Sequence, residues 1–137
     1  HLPMAKRFMG FPGLLWDVEI DESKCVGCKV CARYCPTDCI YVTIKDNEKF
    51  AEGKSHRKKM VDDFVLDMSR CIVCGICVEV CNFDAIVMTQ VHEIGSTGRR
   101  DLWADMDLLH TMGKEYEAEH GPAYPESQPV GEEETAQ

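Results

Sequence analysis

No run of about 18 uninterrupted apolar residues occurs in this 137-residue chain, so nothing in it reads as a bilayer span. Nothing in it resembles a secretory signal either. There is no initiator Met, no basic segment leading into an apolar one, and no Ala-x-Ala-type cleavage site. His1 as first residue points to a start inside a longer or processed chain. Glycine-rich dinucleotide fingerprints, P-loops and nucleophile elbows are absent. The five histidines (His1, His56, His92, His110, His120) are scattered, without metal-pair spacing or an identifiable carboxylate partner. The residues therefore give no catalytic centre. Positive charge is short as well: the net charge of −9 argues against nucleic acid as main partner. Residues 1–90 hold 12 basic and 13 acidic side chains and residues 91–137 hold 3 and 11, so a near-neutral body precedes an acidic tail.

Cysteine is what the chain has in excess, nine in all. A secreted disulfide scaffold is normally shorter, with an even count. Nine thiols without a leader point to metal. They fall in a repeat with an offset of 46 residues, which lays 18–44 over 64–90. Matching pairs include Asp21/Asp67, Ser23/Ser69, the four cysteine pairs, Asp38/Asp84, Ile40/Ile86 and Thr43/Thr89. A long period present only twice implies two packed half-domains and no solenoid.

Each half reads as a short extended segment (Val18–Ile20 or Phe64–Leu66), a cysteine loop, and a helix of about two turns ending near Cys35 or Cys81. A strand follows, Ile40–Ile44 or Ala85–Met88. Pro36 stops the first helix. Two βαβ units related by a pseudo-two-fold give a small α+β domain. The 18-residue insertion between the halves (45–62) is polar, with a basic cluster of Lys54, Arg57, Lys58 and Lys59. It reads as a solvated loop, with docking to an acidic partner as the alternative.

Each half carries Cys-x2-Cys-x2-Cys-x3-Cys: Cys25, Cys28, Cys31, Cys35 and Cys71, Cys74, Cys77, Cys81. This is the bacterial spacing for two cubane clusters, in which the fourth cysteine serves the other cluster. Three thiolates from a tight loop and first helical turn grasp one cube. The fourth, one turn on, leans toward the opposite half. The expected ligands are Cys25, Cys28, Cys31 and Cys81 for one [4Fe-4S] cluster, and Cys35, Cys71, Cys74 and Cys77 for the other. Val26, Ile40, Ile72, Ile76 and Ile86 are placed to exclude water. Zinc, the competing metal, normally takes two Cys-x2-Cys pairs around one ion, not a duplicated triple plus a fourth. A duplicated core of about 70 residues needs such a staple, so cluster binding is expected to be part of folding. Cys39 faces Ala85 in the repeat and reads as a small buried thiol, with a redox or ligand-swap role as alternative.

The double motif resembles bacterial two-[4Fe-4S] ferredoxins. Three features resemble, more narrowly, subunit I of the NADH-quinone oxidoreductase family, the ferredoxin-like subunit of respiratory complex I: the insertion; the segment 63–77, AspPheValLeuAspMetSerArgCysIleValCysGlyIleCys; and the arm 92–109, with Arg100-Asp101-Leu102 and Asp107-Leu108-Leu109. The family usually has Pro after both fourth cysteines. Here Pro36 obeys and Asn82 does not, which raises the expectation of a shifted potential.

The resemblance implies a ferredoxin-like 2×[4Fe-4S] fold and a non-catalytic electron-relay subunit passing electrons from the NADH side toward the quinone-proximal cluster. It also implies neighbouring iron–sulfur subunits as partners and a peripheral place on the cytoplasmic face of the bacterial plasma membrane. The alternatives are the ferredoxin-like subunit of a membrane-bound hydrogenase or formate-oxidising complex, and a stand-alone soluble ferredoxin. The expected organisation is a docking arm at 1–16, the ferredoxin domain at 17–90 and an acidic arm at 91–137. Within that last arm, 101–118 is expected to form an amphipathic helix with Leu102, Met106 and Leu109 on one side. The Pro- and Glu-rich stretch 121–137 has no core-forming pattern.

Overall fold

A computed structural model describes residues 3–124. The expected tail beyond residue 124 lies outside the described residues. The fold is a small α+β unit built on three antiparallel sheets. Strand β1 (Pro12–Leu14) pairs with β6 (Ile86–Met88), and β2 (Trp16–Asp17) with β3 (Glu22–Ser23). The third and largest sheet has the order β4 (Ile40–Asp46), β5 (Lys59–Asp67), β7 (Trp103–Ala104). Helices α1 (Val30–Tyr34), α2 (Glu48–Ala51), α3 (Ile76–Glu79) and α4 (Met106–His120), with a 3-10 turn at Arg99–Leu102, complete it.

Both cysteine-bearing helices are shorter than the spacing predicts. Each starts only after a left-handed residue, Lys29 (φ +63°) or Gly75 (φ +77°), which bends the loop into the helix. α1 stops at Tyr34, ahead of Pro36, whose ring and missing N–H cannot continue it. Further left-handed residues recur 46 positions apart: Gly27 and Val73, Asp38 and Asp84. At Val73 this is costly, because a β-branched residue crowds its own carbonyl there.

The segment Val18–Ile20, read as extended, is a turn between β2 and β3. Asp21 (φ +55°) closes it and leaves Val18 largely in solvent. Phe64–Leu66 does lie in a strand, the longer β5. That strand and β4 run deep into the insertion, with a bulge where Ile44 pairs Val61 after Thr43 pairs Asp63. Residues 45–62 are therefore largely ordered hairpin, not loop. Asn47 caps α2 by accepting from the Lys49 N–H at 3.0 Å.

The expected docking arm is, from Gly10 onward, part of the core. Gly10 N–H donates to Thr89 O and Phe11 N–H to Val91 O, continuing the β1–β6 ladder, and Leu14 and Leu15 are each 1% exposed. α4 lies across β1 and closes that face with Leu109 and Met112. Its approach is tight: a Cβ on Gly113 would stand 2.1 Å from the Leu14 carbonyl oxygen. Asp105 caps α4 by accepting from Leu108 N–H at 2.9 Å. The helix thus begins at Met106, later than predicted. Leu102, Met106 and Leu109 all pack against the core, so the start of the acidic arm also belongs to the body.

The basic cluster in the insertion is neutralised at home. Arg57 donates to Glu22 at 2.8 Å and to Asp17 at 3.3 Å; Lys54 meets Glu52, and Lys59 meets Asp46. Glu22, with its side chain 1% exposed, also accepts from Ser55 Oγ and from Asn47 Nδ2 at 2.9 Å. Burial alone would raise its carboxyl, but the hydrogen bonds from Ser55, Arg57 and Asn47, with the Arg57 charge, hold it below the usual value. An apparent docking patch is in part a buried clasp between the insertion and the first half.

Candidate metal centre

The eight motif cysteines gather around the junction of α1 and α3, which pack on each other. Cys25 follows β3, its N–H bonded to Ser23 Oγ at 3.1 Å, and its carbonyl accepts from Val61 N–H. In the second loop, Asp67 Oδ1 accepts from both the Ser69 N–H and hydroxyl, at 3.0 and 2.6 Å. Asp67 O then accepts from Cys71 N–H at 3.2 Å. Asp67 and Ser69 thus fix the entry to Cys71 much as Ser23 fixes the entry to Cys25. Cys31 and Cys77 sit within the helices, and Cys35 and Cys81 just beyond their ends. Cys25 and Cys31 are buried, Cys35, Cys71, Cys77 and Cys81 half-buried, and Cys28 and Cys74 exposed.

Electrostatic coupling reveals which thiols are neighbours. Burial pushes the Cys25 thiol up to about 11, with Cys81 and Cys28 adding repulsion. Burial pushes Cys31 up to about 12, reinforced by Cys25, Cys77, Cys81 and Cys28. In the other group, burial raises Cys77 to about 11, with repulsion from Cys74 and Cys35. Cys71 moves the other way, because Cys39 donates a hydrogen bond to it and outweighs its burial. These couplings tie Cys81 to Cys25 and Cys31, and Cys35 to Cys71 and Cys77, while Cys31 also feels Cys77 across the two motifs. The second set lines a recess closed by Pro12, Ile40 and Leu66.

This donor chemistry fits a multi-atom sulfur-ligated cluster. Cys71, Cys74 and Cys77 of one loop and Cys35 from the end of the other motif line one recess, with Cys39 beside them. Among the described residues no three His, Cys, Asp or Glu side chains close on one point as a single ion requires. Protons held this firmly by buried thiols must leave as metal binds, so loading and folding are coupled.

The water-excluding set is only partly as expected. Ile40 and Ile86 are 4% and 3% exposed, and Val26 and Ile76 half-buried. Ile72, however, is 61% exposed although it lines the rim of the recess beside exposed Cys74. Asn82 is exposed and, among the described residues, its side chain bonds no thiol. Two residues were undervalued. Cys39 is buried, but its Sγ lies 3.4 Å from Cys35 Sγ, and Thr37 Oγ1 lies 3.6 Å from the same sulfur. The available signal was their departure from the repeat, where Phe83 and Ala85 stand in their places.

Comparison with known proteins agrees with this chemistry. Residues 24–85 match the family model described as a 4Fe-4S dicluster domain. A stretch of 30 residues, 22% of this chain, is 53% identical to the periplasmic [Fe] hydrogenase large subunit of Nitratidesulfovibrio vulgaris. That match covers 7% of the relative's length. Residues 24–85 thus carry a ferredoxin-type dicluster domain for two [4Fe-4S] clusters, which supports an iron–sulfur electron-transfer role for that domain.

Proposed function

We propose that this chain is a ferredoxin-like relay subunit of a complex I-type NADH-quinone oxidoreductase. On this reading it takes electrons from the NADH side and hands them toward the quinone-proximal cluster. Cys25, Cys28, Cys31 and Cys81 ligate one cluster, and Cys35, Cys71, Cys74 and Cys77 the other. The halves are related by a pseudo-two-fold, a reading supported by the left-handed residues that recur at an offset of 46 and by the packing of α1 on α3.

When bound, the clusters supply one-electron chemistry at each site. The chain's own residues hold, space and shield them. The observation that supports the relay reading is one exposed cysteine in each motif, Cys28 and Cys74, with Cys81 coupled electrostatically to Cys25 and Cys35 to Cys77. Such a pair of sites, open at separate points, suits passage from one partner to another. Neighbouring iron–sulfur subunits are the proposed partners, at the cytoplasmic face of a bacterial plasma membrane. No described helix is long and apolar enough to cross a membrane, so attachment is proposed to be peripheral, through other subunits. The placement in complex I rests on the resemblance of 63–77 and 92–109.

One observation favours a second reading. The 30-residue match to a hydrogenase large subunit supports a ferredoxin-like part of a hydrogen-oxidising complex. The deciding experiment purifies the tagged chain from membranes in mild detergent and assays NADH-dependent quinone reduction. Co-purifying activity with several subunits supports the first reading. An assembly that ignores NADH and oxidises hydrogen overturns it in favour of the second. A lone brown protein overturns both.

A further inference from the structure

We propose that Thr37 and Cys39 act as hydrogen-bond donors to the sulfur ligands of one site only, holding the cluster bound by Cys35, Cys71, Cys74 and Cys77 at the higher reduction potential. This rests on the ligand sets proposed above.

Distance alone leaves open which atom donates between Cys39 and Cys35, 3.4 Å apart, and between Thr37 and Cys35, 3.6 Å apart. Ligation closes the question. A ligating sulfur is a thiolate with no proton to give, so it accepts. The Cys39 S–H and the Thr37 O–H are then the donors. Cys39 lines the same recess as Cys35 and Cys71, two ligands of the same set, and bonds the first of them.

The repeat supplies an internal control. At the matching positions stand Phe83 and Ala85, neither of which has a side-chain donor. Ala85 and Cys39 are each 1% exposed, so the two positions are equally dry and differ by one thiol. Hydrogen bonds to cluster sulfurs tune the potential. A donor favours the more negative, reduced state more than the oxidised one, so the potential rises. Burial acts in the same direction, since Cys25 and Cys31 are buried on the other side while Cys71 and Cys77 are half-exposed. Lys29 and Arg33, near Cys28, oppose this, but both are exposed and screened by water. The gradient therefore runs from the Cys28 side to the Cys74 side, and an electron shared between the sites rests on the latter.

The test is an EPR-monitored redox titration of anaerobically purified holoprotein. Ala85 shows that a methyl fits this kind of position, so Cys39→Ala should load normally. It should lower one midpoint, about tenfold in the one-electron equilibrium or roughly 59 mV. Thr37→Val should lower the same midpoint by less. Cys39→Ser, which retains a donor, should return it toward wild type. Ala85→Cys should raise the other midpoint and narrow the gap. Iron is counted in every variant: about eight atoms per chain, four for each cluster, are required. Full iron with both midpoints unmoved in Cys39→Ala, or both moved equally, overturns this inference and leaves the relay reading intact. A wild-type protein holding only one cluster overturns the ligand sets on which both depend.

Discussion

Arg57→Met removes the cation of the clasp between the insertion and the first half, and leaves Glu22 without an ionic partner. The Glu22 side chain is 1% exposed and that of Arg57 13%, so water cannot take over. Breaking a buried pair from one side typically costs about 3–5 kcal/mol. Ser55 and Asn47 still donate to Glu22, which places the expected loss near the lower end, about 3 kcal/mol. At about 1.36 kcal/mol per decade, local opening of 47–58 should become roughly a hundredfold more frequent. Hydrogen exchange of that segment in the holoprotein, read by mass spectrometry, measures this directly. Its amides are tied by bonds such as Asn47 N–H to Lys58 O and Lys54 N–H to Lys49 O. Lys54→Met is the control. Its bridge to Glu52 joins side chains 70% and 58% exposed, a kind worth about 0–1 kcal/mol. Protection in Arg57→Met within about threefold of wild type, or equal losses in both variants, would refute the reasoning.

Three further outcomes follow from the same geometry. Glu22 has a folded pKa below 4.5, so its contribution is complete above the unfolded value and is lost as pH falls through the folded one. Protection of 47–58, corrected for intrinsic exchange, should decline below roughly pH 4.5, and Glu22→Gln should flatten that decline. Gly113→Ala gains helix propensity worth about 1 kcal/mol but drives a Cβ to 2.1 Å from Leu14 O. Because that contact is with backbone, it cannot yield cheaply, and overpacking of about 1–3 kcal/mol or more should win. A urea midpoint at or above wild type, followed by cluster absorbance, would contradict this. Complete anaerobic removal of iron should abolish most native circular dichroism, since the thiol sets then have nothing to close around; a native-like spectrum in the iron-free chain would show the core to be self-sufficient.

The metal chemistry was legible because thiol spacing is a local property. Four cysteines within eleven residues, twice, specify the loops that bear them. What escaped was non-local. β1 has only three residues, two of them Pro12 and Gly13, and these carry no alternation to announce a strand. Its partner lies 76 residues away, Pro12 opposite Met88. Val18–Ile20 looked extended because two of its residues are β-branched, yet left-handed Asp21 turns the chain there. Glu22 and Arg57 read as ordinary surface charge, because a charge inventory cannot show that two ions 35 positions apart share one dry site. Gly113 gave no periodic signal, since what matters there is the absence of a side chain.

The position of β1 also bears on the order in which the protein can be made. Leu14 lies between β6 and α4, so it finds its neighbours only after residue 113 has been made. Closure of the core is thus a late, high-contact-order event. Until it happens, the thiols of the first motif wait without the cysteine supplied by the second. A nascent chain of this design keeps the thiols of its first motif without their fourth partner at least until Cys81 has been made.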